Sequence, residues 1–596
     1  MKREPSLNGI VSFALLTLVF SAGFTVLAVR LKVEQVDKAA HHRSEMETQS
    51  FRRVQTAGLR GGIFDRWGTP LAVNRLSLCI TVDPGAYRGG RKQGETVESR
   101  IMAALEGMAA IVGRPPAAGV EAVRRHLRVE LARPLVAWRD VTEEELARFS
   151  ENARDYPGFD CDADAERSYP QGTLAAHVIG RVGRDRLPPV SGGARMNFVE
   201  KELRGREGLE MQYDDYLRGM AGEERVFVDA RGFATSRETV IEPRHGFDLR
   251  LTLDAGLQRV AERELAGLRG ACAAIDPRDG AVRILASAPA FDPNECVPVL
   301  RSEVYRRLAD DPAQPMLCRA TAGTYAPGST FKPITALAGL AAGHSAAEVY
   351  ECTGAYELGG MKIRCARTWG HGGMDMAHAL RESCNPYFCA LGMSAGSNAV
   401  IRTARAFGLG QRTGIDFPTD AAGVVPDAAW KAEHFADPKW RPGDLAQMSM
   451  GQGQLLATPL QMARVAAALG SGWLVVPHLN EALPAERRPL AVPASHLREV
   501  RRGMRMVVDG GTGHRAGDGV DAYVIGKTGT AQVGYGANRR KNTWFIAYAT
   551  PTAESRSDEP IALAMVIEDG ESGGGTTAPK VAEILKAMYN RKEPAT

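Results

Sequence analysis

An α+β architecture is predicted, with helices inserted between antiparallel strands of one sheet, and with a transmembrane helix and an elongated pedestal domain in front. Three observations predict it. The 596 residues exceed what one core supports, so several domains are expected. An uncharged stretch, mostly apolar from Ile10 to Val29, lies near the start. Two β-rich runs joined by DPRDG are separated by a long helical section from three further strand-like runs near the C-terminus.

Taken in order, residues 1–9 form a short head expected in the cytoplasm, with Lys2, Arg3 and Glu4 as its charges. Residues 10–29 follow as the anchor: at 1.5 Å per residue they span roughly 30 Å, one bilayer core. A cleaved signal peptide is the rival reading, because Val26-Leu27-Ala28 resembles a small-residue cleavage site. Its apolar run is normally about 7 to 15 residues, so length favours the anchor. Lys2 and Arg3 nearly balance Arg30 and Lys32, so flanking charge does not set orientation.

Residues 31–242 carry no catalytic constellation and read as a pedestal or dimerisation domain. Leu31 to Gln55 suggests a helical stalk, Leu78 to Pro84 a strand, and Glu95 to Ser150 a helical section. The catalytic domain, residues 243–596, begins with a helix near Ala255 to Leu268 and the strand pair around DPRDG. It ends with strands at Tyr523–Val533, Thr543–Ala549 and Ile561–Glu568 and a helix after Pro579. Lys and Arg total 74 against 70 Asp and Glu, interspersed, so nothing argues for nucleic acid.

Three short strings carry chemistry: Ser329-Thr330-Phe331-Lys332, Ser383-Cys384-Asn385 and Lys527-Thr528-Gly529-Thr530. If Pro327 marks a helix start, Ser329 and Lys332 share one face of its first turn. A serine is a weak nucleophile until a neighbouring base takes its proton. A lysine held away from water can have its pKa lowered enough to serve. Free N–H groups of that first turn favour negative charge on an attacked carbonyl. The Lys527 string lies in YVIGKTGTAQV, which reads as a strand. Gly529 weakens such a strand unless another backbone approaches closely, and a peptide substrate added along the edge is such a backbone.

The S-x-x-K, S-x-N and K-T-G set, in this order and spacing, occurs in penicillin-binding proteins and class A β-lactamases. From about Arg60 onward the chain resembles a class B penicillin-binding protein, a peptidoglycan D,D-transpeptidase with a penicillin-binding/β-lactamase-like fold. RGGIFDRWGTPLA, GREGLEMQYDDYLRG, LTLDAGLQRVAE, SMGQGQLLATPLQMA and GGGTTAP also resemble family blocks. WGHGG at Trp369 to Gly373 and PHL at Pro477 to Leu479 are more similar to the elongation type, penicillin-binding protein 2, than to the division type.

The resemblance implies that Ser329 is acylated by the penultimate D-alanine of a stem pentapeptide, with Lys332 as base. It implies that Ser383 relays a proton and that Asn385 holds the substrate amide and orients Lys332. Lys527 would neutralise the terminal carboxylate with help from Thr528 and Thr530, Gly529 lying between them. Backbone N–H groups of Ser329 and Thr530 would form the oxyanion hole. A neighbouring stem-peptide amine would then take the acyl group, and β-lactams would acylate Ser329. Implied partners are these peptides, the membrane, a polytopic glycosyltransferase and elongation-complex proteins; catalysis needs no cofactor. The implied location is the inner membrane, single-pass, with the catalytic domain periplasmic.

Cys352, Cys365, His371 and Cys384 are the ligand types of a Cys3His zinc site, although close C-x2-C pairs are missing. A structural zinc, a Cys352–Cys365 disulfide and plain buried thiols are the three readings. His177, His434 and His478 read as packing or turn residues, and Asp65 with Arg66 as a fold-forming pair. Two rival functions share the serine: a hydrolase or carboxypeptidase that passes the acyl group to water, and a silent β-lactam sensor.

Overall fold

The computed structural model describes residues 7–39, 41, 51–89, 94–186, 198–199, 201–297, 299–534 and 540–590. The first six residues of the expected cytoplasmic head lie outside this set. Leu7–Lys32 is a continuous helix, and among the described residues it belongs to the one segment long and apolar enough to cross a membrane. Its side chains are uncovered by the rest of the protein, Phe13, Leu18 and Phe24 being largely exposed to whatever surrounds it. Lipid is the solvent that such a surface fits.

The expected stalk over Leu31–Gln55 ends early. Helical structure runs to Asp37 as a looser π-turn, residues 42–50 lie outside the described part, and Phe51–Thr56 is a strand. Its sequence, FRRVQT, has no apolar alternation to announce it. Pairing over six residues with Gly222–Val228 and burial of Val54 beside Val226 and Ala132 supply the stabilisation. Ala234–Ile241 and Phe198–Val199 complete that four-stranded sheet.

A second pedestal sheet is built on Pro70–Val82, along which Phe159–Ser168 pairs for ten residues. The helix Val97–Val112 covers it with Ile101, Leu105, Met108 and Val112, spaced to share one face. Thr96 and Thr142 each open a helix with a capping box, which contributes on the order of 1 kcal/mol apiece. The helical section expected over Glu95–Ser150 is interrupted by a strand, Leu135–Trp138, whose Ala137 and Trp138 are fully buried.

The catalytic half is an antiparallel sheet of five strands: β1 (Gly270–Ile275), β2 (Val282–Ala288), β3 (Ala522–Val533), β4 (Arg540–Pro551) and β5 (Ile561–Ile567), in the order β2-β1-β5-β4-β3. Period-two alternation divides its side chains between two cores. Cys272, Ala274, Ile284, Phe545, Leu563 and Met565 pack with Val581, Ile584 and Leu585 of the closing helix Ala578–Tyr589. Ala271, Ala273, Leu285, Ile546, Ala562 and Ala564 face the other way, onto the buried helix Pro459–Ser471 and the helical insert. The two expected strands around DPRDG and the three near the C-terminus are all present. Strand β3 ends the sheet with β4 as its one strand partner, so its outer edge is open.

The two halves are sewn together. Ile63–Phe64 lies parallel to Leu249–Arg250. Asp65 accepts the N–H groups of Trp67, Thr69 and Ala255, while Arg66 forks onto Glu559 at 2.7 and 2.8 Å. Asp65 and Arg66 are therefore two separate tethers rather than a pair. A half-buried bidentate bridge of this kind is worth on the order of 1 kcal/mol.

Candidate active site

The nucleophile turn is held from three sides. Gly328–Phe331 is a 3-10 turn that passes into the helix Lys332–Ala341, with Pro327 just before it. Gly328 N–H donates to Gly451 O at 2.8 Å, Tyr325 N–H to Ala457 O at 2.9 Å, and Trp544 Nε1 to Ala326 O at 3.0 Å. Tyr325 is itself fixed by its hydroxyl on Glu568, which also receives Arg319. Gly328 adopts φ of 57°, where a side chain would be strained.

Lys332 is fully buried, and its Nζ has three acceptors: Ser383 O at 2.6 Å, Asn385 Oδ1 at 2.7 Å and Ser383 Oγ at 3.2 Å. Burial pushes its pKa down to about 8, against a smaller upward pull from Cys384, Cys389 and Cys365. As an ammonium it satisfies all three oxygens. After losing a proton, its two N–H bonds still serve the two carbonyl oxygens, and a lone pair is left for a hydroxyl. Ser383 has φ of 55°, unusual for a residue with a side chain, at a cost of about 1–2 kcal/mol. That conformation turns both its carbonyl and its hydroxyl onto the same amine. Asn385 Nδ2 donates to Arg364 O at 3.0 Å, which fixes the amide's orientation.

Edge strand β3 forms the opposite wall. Gln452 Nε2 donates to Thr530 O at 3.2 Å, so that carbonyl points off the open edge, and the N–H of the same residue points with it. This N–H and the first-turn N–H of Ser329 are the two candidate oxyanion donors. Gly529 is required by the protein's own backbone: a Cβ there would meet Pro327 O at 2.8 Å and Trp544 Cβ at 3.0 Å. The close approach expected from a substrate strand is made at this residue by the nucleophile turn. Lys527 departs from expectation too. It is fully buried, bonds Thr528 O at 3.1 Å and Thr528 Oγ1 at 3.4 Å, and is held well below the usual lysine range by burial and then by Lys332. Thr528 Oγ1 lies 2.7 Å from Thr512 Oγ1, and Thr530 Oγ1 accepts Gly573 N–H.

A cleft of about 1130 Å³ joins these walls, lined by Ser329, Ser383, Asn385, Thr528, Gly529 and Thr530. Lys332 and Lys527 stand beneath its floor. Sequence reasoning missed Gln452, Thr512, Arg364 and Arg515, which also line it. Gln452 stood within the SMGQG block, but nothing in the sequence tied it to Thr530.

The four sulfur and nitrogen ligand atoms of Cys352, Cys365, His371 and Cys384 lie within 4.8 Å of one another. His371 Nδ1 is 3.3 Å from Cys365 Sγ and 3.7 Å from Cys352 Sγ, and Cys365 Sγ is 4.0 Å from Cys384 Sγ. All nine cysteines are free, so the Cys352–Cys365 disulfide is not formed. Cys365 is pulled down by the hydrogen bond from Cys384, and Cys384 is pushed up in return. His177 is a packed residue: its Nε2 sits 2.7 Å from Pro315 O, and burial lowers its pKa to about 4. His434 stacks on Trp430.

Two family descriptions match successive parts of the chain, Penicillin-binding Protein dimerisation domain over residues 55–251 and Penicillin binding protein transpeptidase domain over 270–586. The chain belongs to the penicillin-binding proteins. Within that family it is of the class B, penicillin-binding protein 2 kind. A relative from Acinetobacter baumannii, named peptidoglycan D,D-transpeptidase MrdA, is 34% identical over 95% of this chain and 85% of its own length. The complex of penicillin-binding protein 2 with MreC from Helicobacter pylori contains a similar chain, with TM-score 0.75, 26% identity, and coverage of 90% of this chain and 98% of that one. A chain from a structure on coordination of polymerization and crosslinking by a peptidoglycan synthase complex matches with TM-score 0.72 and 28% identity, covering 97% of this chain and 98% of that one.

Proposed function

We propose that this protein is a membrane-anchored peptidoglycan D,D-transpeptidase of cell-wall elongation and shape maintenance that works through a serine acyl-enzyme and is a target of β-lactams. The observation that carries the mechanism is the buried amine of Lys332, bonded to Ser383 and Asn385, one turn from Ser329 on an open cleft.

Ser329 Oγ attacks the carbonyl of the penultimate D-alanine while its proton passes to neutral Lys332. The resulting oxyanion is held by the N–H groups of Ser329 and Thr530. The C–N bond then breaks, and the departing D-alanine nitrogen takes a proton from Lys332 through Ser383. In the second half an acceptor amine attacks the ester, its proton returns along the same path, and Ser329 recovers its hydrogen. Asn385 holds the substrate amide. The terminal carboxylate lands on the hydroxyls of Thr528 and Thr530, and its arrival favours the charged form of Lys527 beneath them. In this reading the helix anchors the chain in the inner membrane and the catalytic half lies on the outer, periplasmic side, because that is where the substrate lies. A polymerising glycosyltransferase and elongation-complex proteins are the proposed partners, in line with the assemblies in which the two structural neighbours occur. A cross-linking assay with the full chain tests the reading. Product joined through a new peptide bond and a penicillin adduct mapped to Ser329 are expected; hydrolysis without transfer would favour the carboxypeptidase alternative.

We further propose that Cys352, Cys365, His371 and Cys384 hold a structural zinc. Three buried thiols and one part-buried imidazole, clustered and free of disulfides, are a donor set that suits this ion. Bound there, it would tie the end of the 361–364 strand to the start of the Asn385 helix and steady Ser383 and Asn385 from behind. Metal analysis of the purified full chain is expected to find one zinc per chain, falling towards none in Cys365→Ser. A stoichiometry near zero in wild-type protein that still binds penicillin would remove the claim.

A further inference from the structure

Charged side chains along the cleft are not evenly neutralised. Lys362 is paired with Glu357 at 3.2 Å and Glu382 with Arg381 at 3.6 Å, and His514 Nδ1 faces Gly511 O at 3.3 Å. Among the described residues, the guanidinium groups of Arg364 and Arg515 have no ion pair and no hydrogen bond, though both line the cleft. Among the described residues Glu571 is the lining carboxylate without an ion pair, and it precedes the Gly573 loop, whose N–H bonds Thr530 Oγ1.

Both arginines stand on fixed backbone. Arg364 gives its carbonyl to Asn385 Nδ2 and follows Ile363, which is buried against Cys389, Ala446 and Met450. Arg515 lies in the turn His514–Ala516, whose Ala516 is fully buried, three residues after Thr512 and its hydroxyl contact with Thr528. Each presents a free planar fork of donors suited to a carboxylate, inside a cleft whose walls concentrate the field.

We propose that these two arginines select a dianionic acyl donor. Arg515, beside the Thr512–Thr528 hydroxyl pair, meets the terminal carboxylate, which the buried Lys527 reaches only through Thr528. Arg364, beside the amide-holding Asn385, meets a second free carboxylate, carried by the residue that precedes the terminal dipeptide. This specificity rests on the acyl-transfer reading above.

Second-order acylation rates of the full-length protein in detergent test it, using benzylpenicillin and its α-carboxy derivative, which differ by one carboxylate on the acyl side chain. Arg364→Ala is expected to lower the ratio of the α-carboxy to the benzyl rate by about five- to tenfold, and less so at high salt. Arg515→Ala is expected to lower both rates by a similar factor, and Arg515→Lys to restore most of the loss. An unchanged ratio in Arg364→Ala, whether or not both rates fall, overturns the first assignment. Full benzylpenicillin reactivity in Arg515→Ala, or a lysine variant as poor as the alanine one, overturns the second. Absence of any Ser329 adduct in the wild type would instead strike the acyl-transfer reading itself.

Discussion

Replacing Ser329 with alanine is expected to reduce cross-linking by more than about 10⁴-fold, to the floor of the assay, and to abolish the penicillin adduct. No neighbouring hydroxyl can stand in for it. Thr330 is buried and donates to Pro327 O at 2.7 Å, and Ser383 approaches Lys332 from the Asn385 side. Ser329 is only half buried and its hydroxyl faces the cleft, so thermal stability should stay close to that of the wild type. The loss would therefore belong to the chemistry. Fluorescent penicillin on a denaturing gel reads the adduct, and a labelled band persisting in the variant would end the serine mechanism.

Acylation is expected to climb about tenfold per pH unit up to about 8 and then level off, as measured by the second-order rate of penicillin binding. The sign follows from the role. Only the neutral amine of Lys332 can accept the Ser329 proton, and burial lowers its pKa from 10.5 to about 8. Linkage runs the same way. Between about 8 and 10.5 the unfolded chain holds this proton and the folded chain has released it, so this group adds stability as pH rises through that window. Lys332→Met should cost about 10³-fold in acylation. It should also destabilise the fold by about 2–3 kcal/mol, because Ser383 O and Asn385 Oδ1 lose a buried donor. A flat profile between pH 6 and 9 would show that another group removes the proton.

Much of the catalytic half could be read from residues because chemistry restricts them. A serine and a lysine three residues apart at a helix start come within reach of each other, and the strands of a sheet covered on both faces appear as near-continuous apolar runs, as in IALAMVI. Other parts depended on partners far along the chain. Phe51–Thr56 becomes a strand only because Gly222–Val228 lies alongside, and Leu135–Trp138 is too short to show a period. The glycine of the K-T-G string could be recognised as a site of close approach, yet the sequence could not say that Pro327 makes it. The orientation of Lys527 was hidden for a similar reason: alternation fixes which residues share a face, and the packing beneath Thr528 decides what that face meets. Arg364 and Arg515 belong to no motif, and only the folded cleft distinguishes them from ordinary surface arginines.

The stitching between the front and rear halves has a practical corollary for anyone preparing a soluble reagent for inhibitor screening. A fragment starting at residue 243 would carry Leu249–Arg250 with no neighbouring strand, Ala255 without its carboxylate cap and Glu559 without Arg66. Truncation just upstream of residue 51 instead discards the greasy leader and keeps every one of those fastenings.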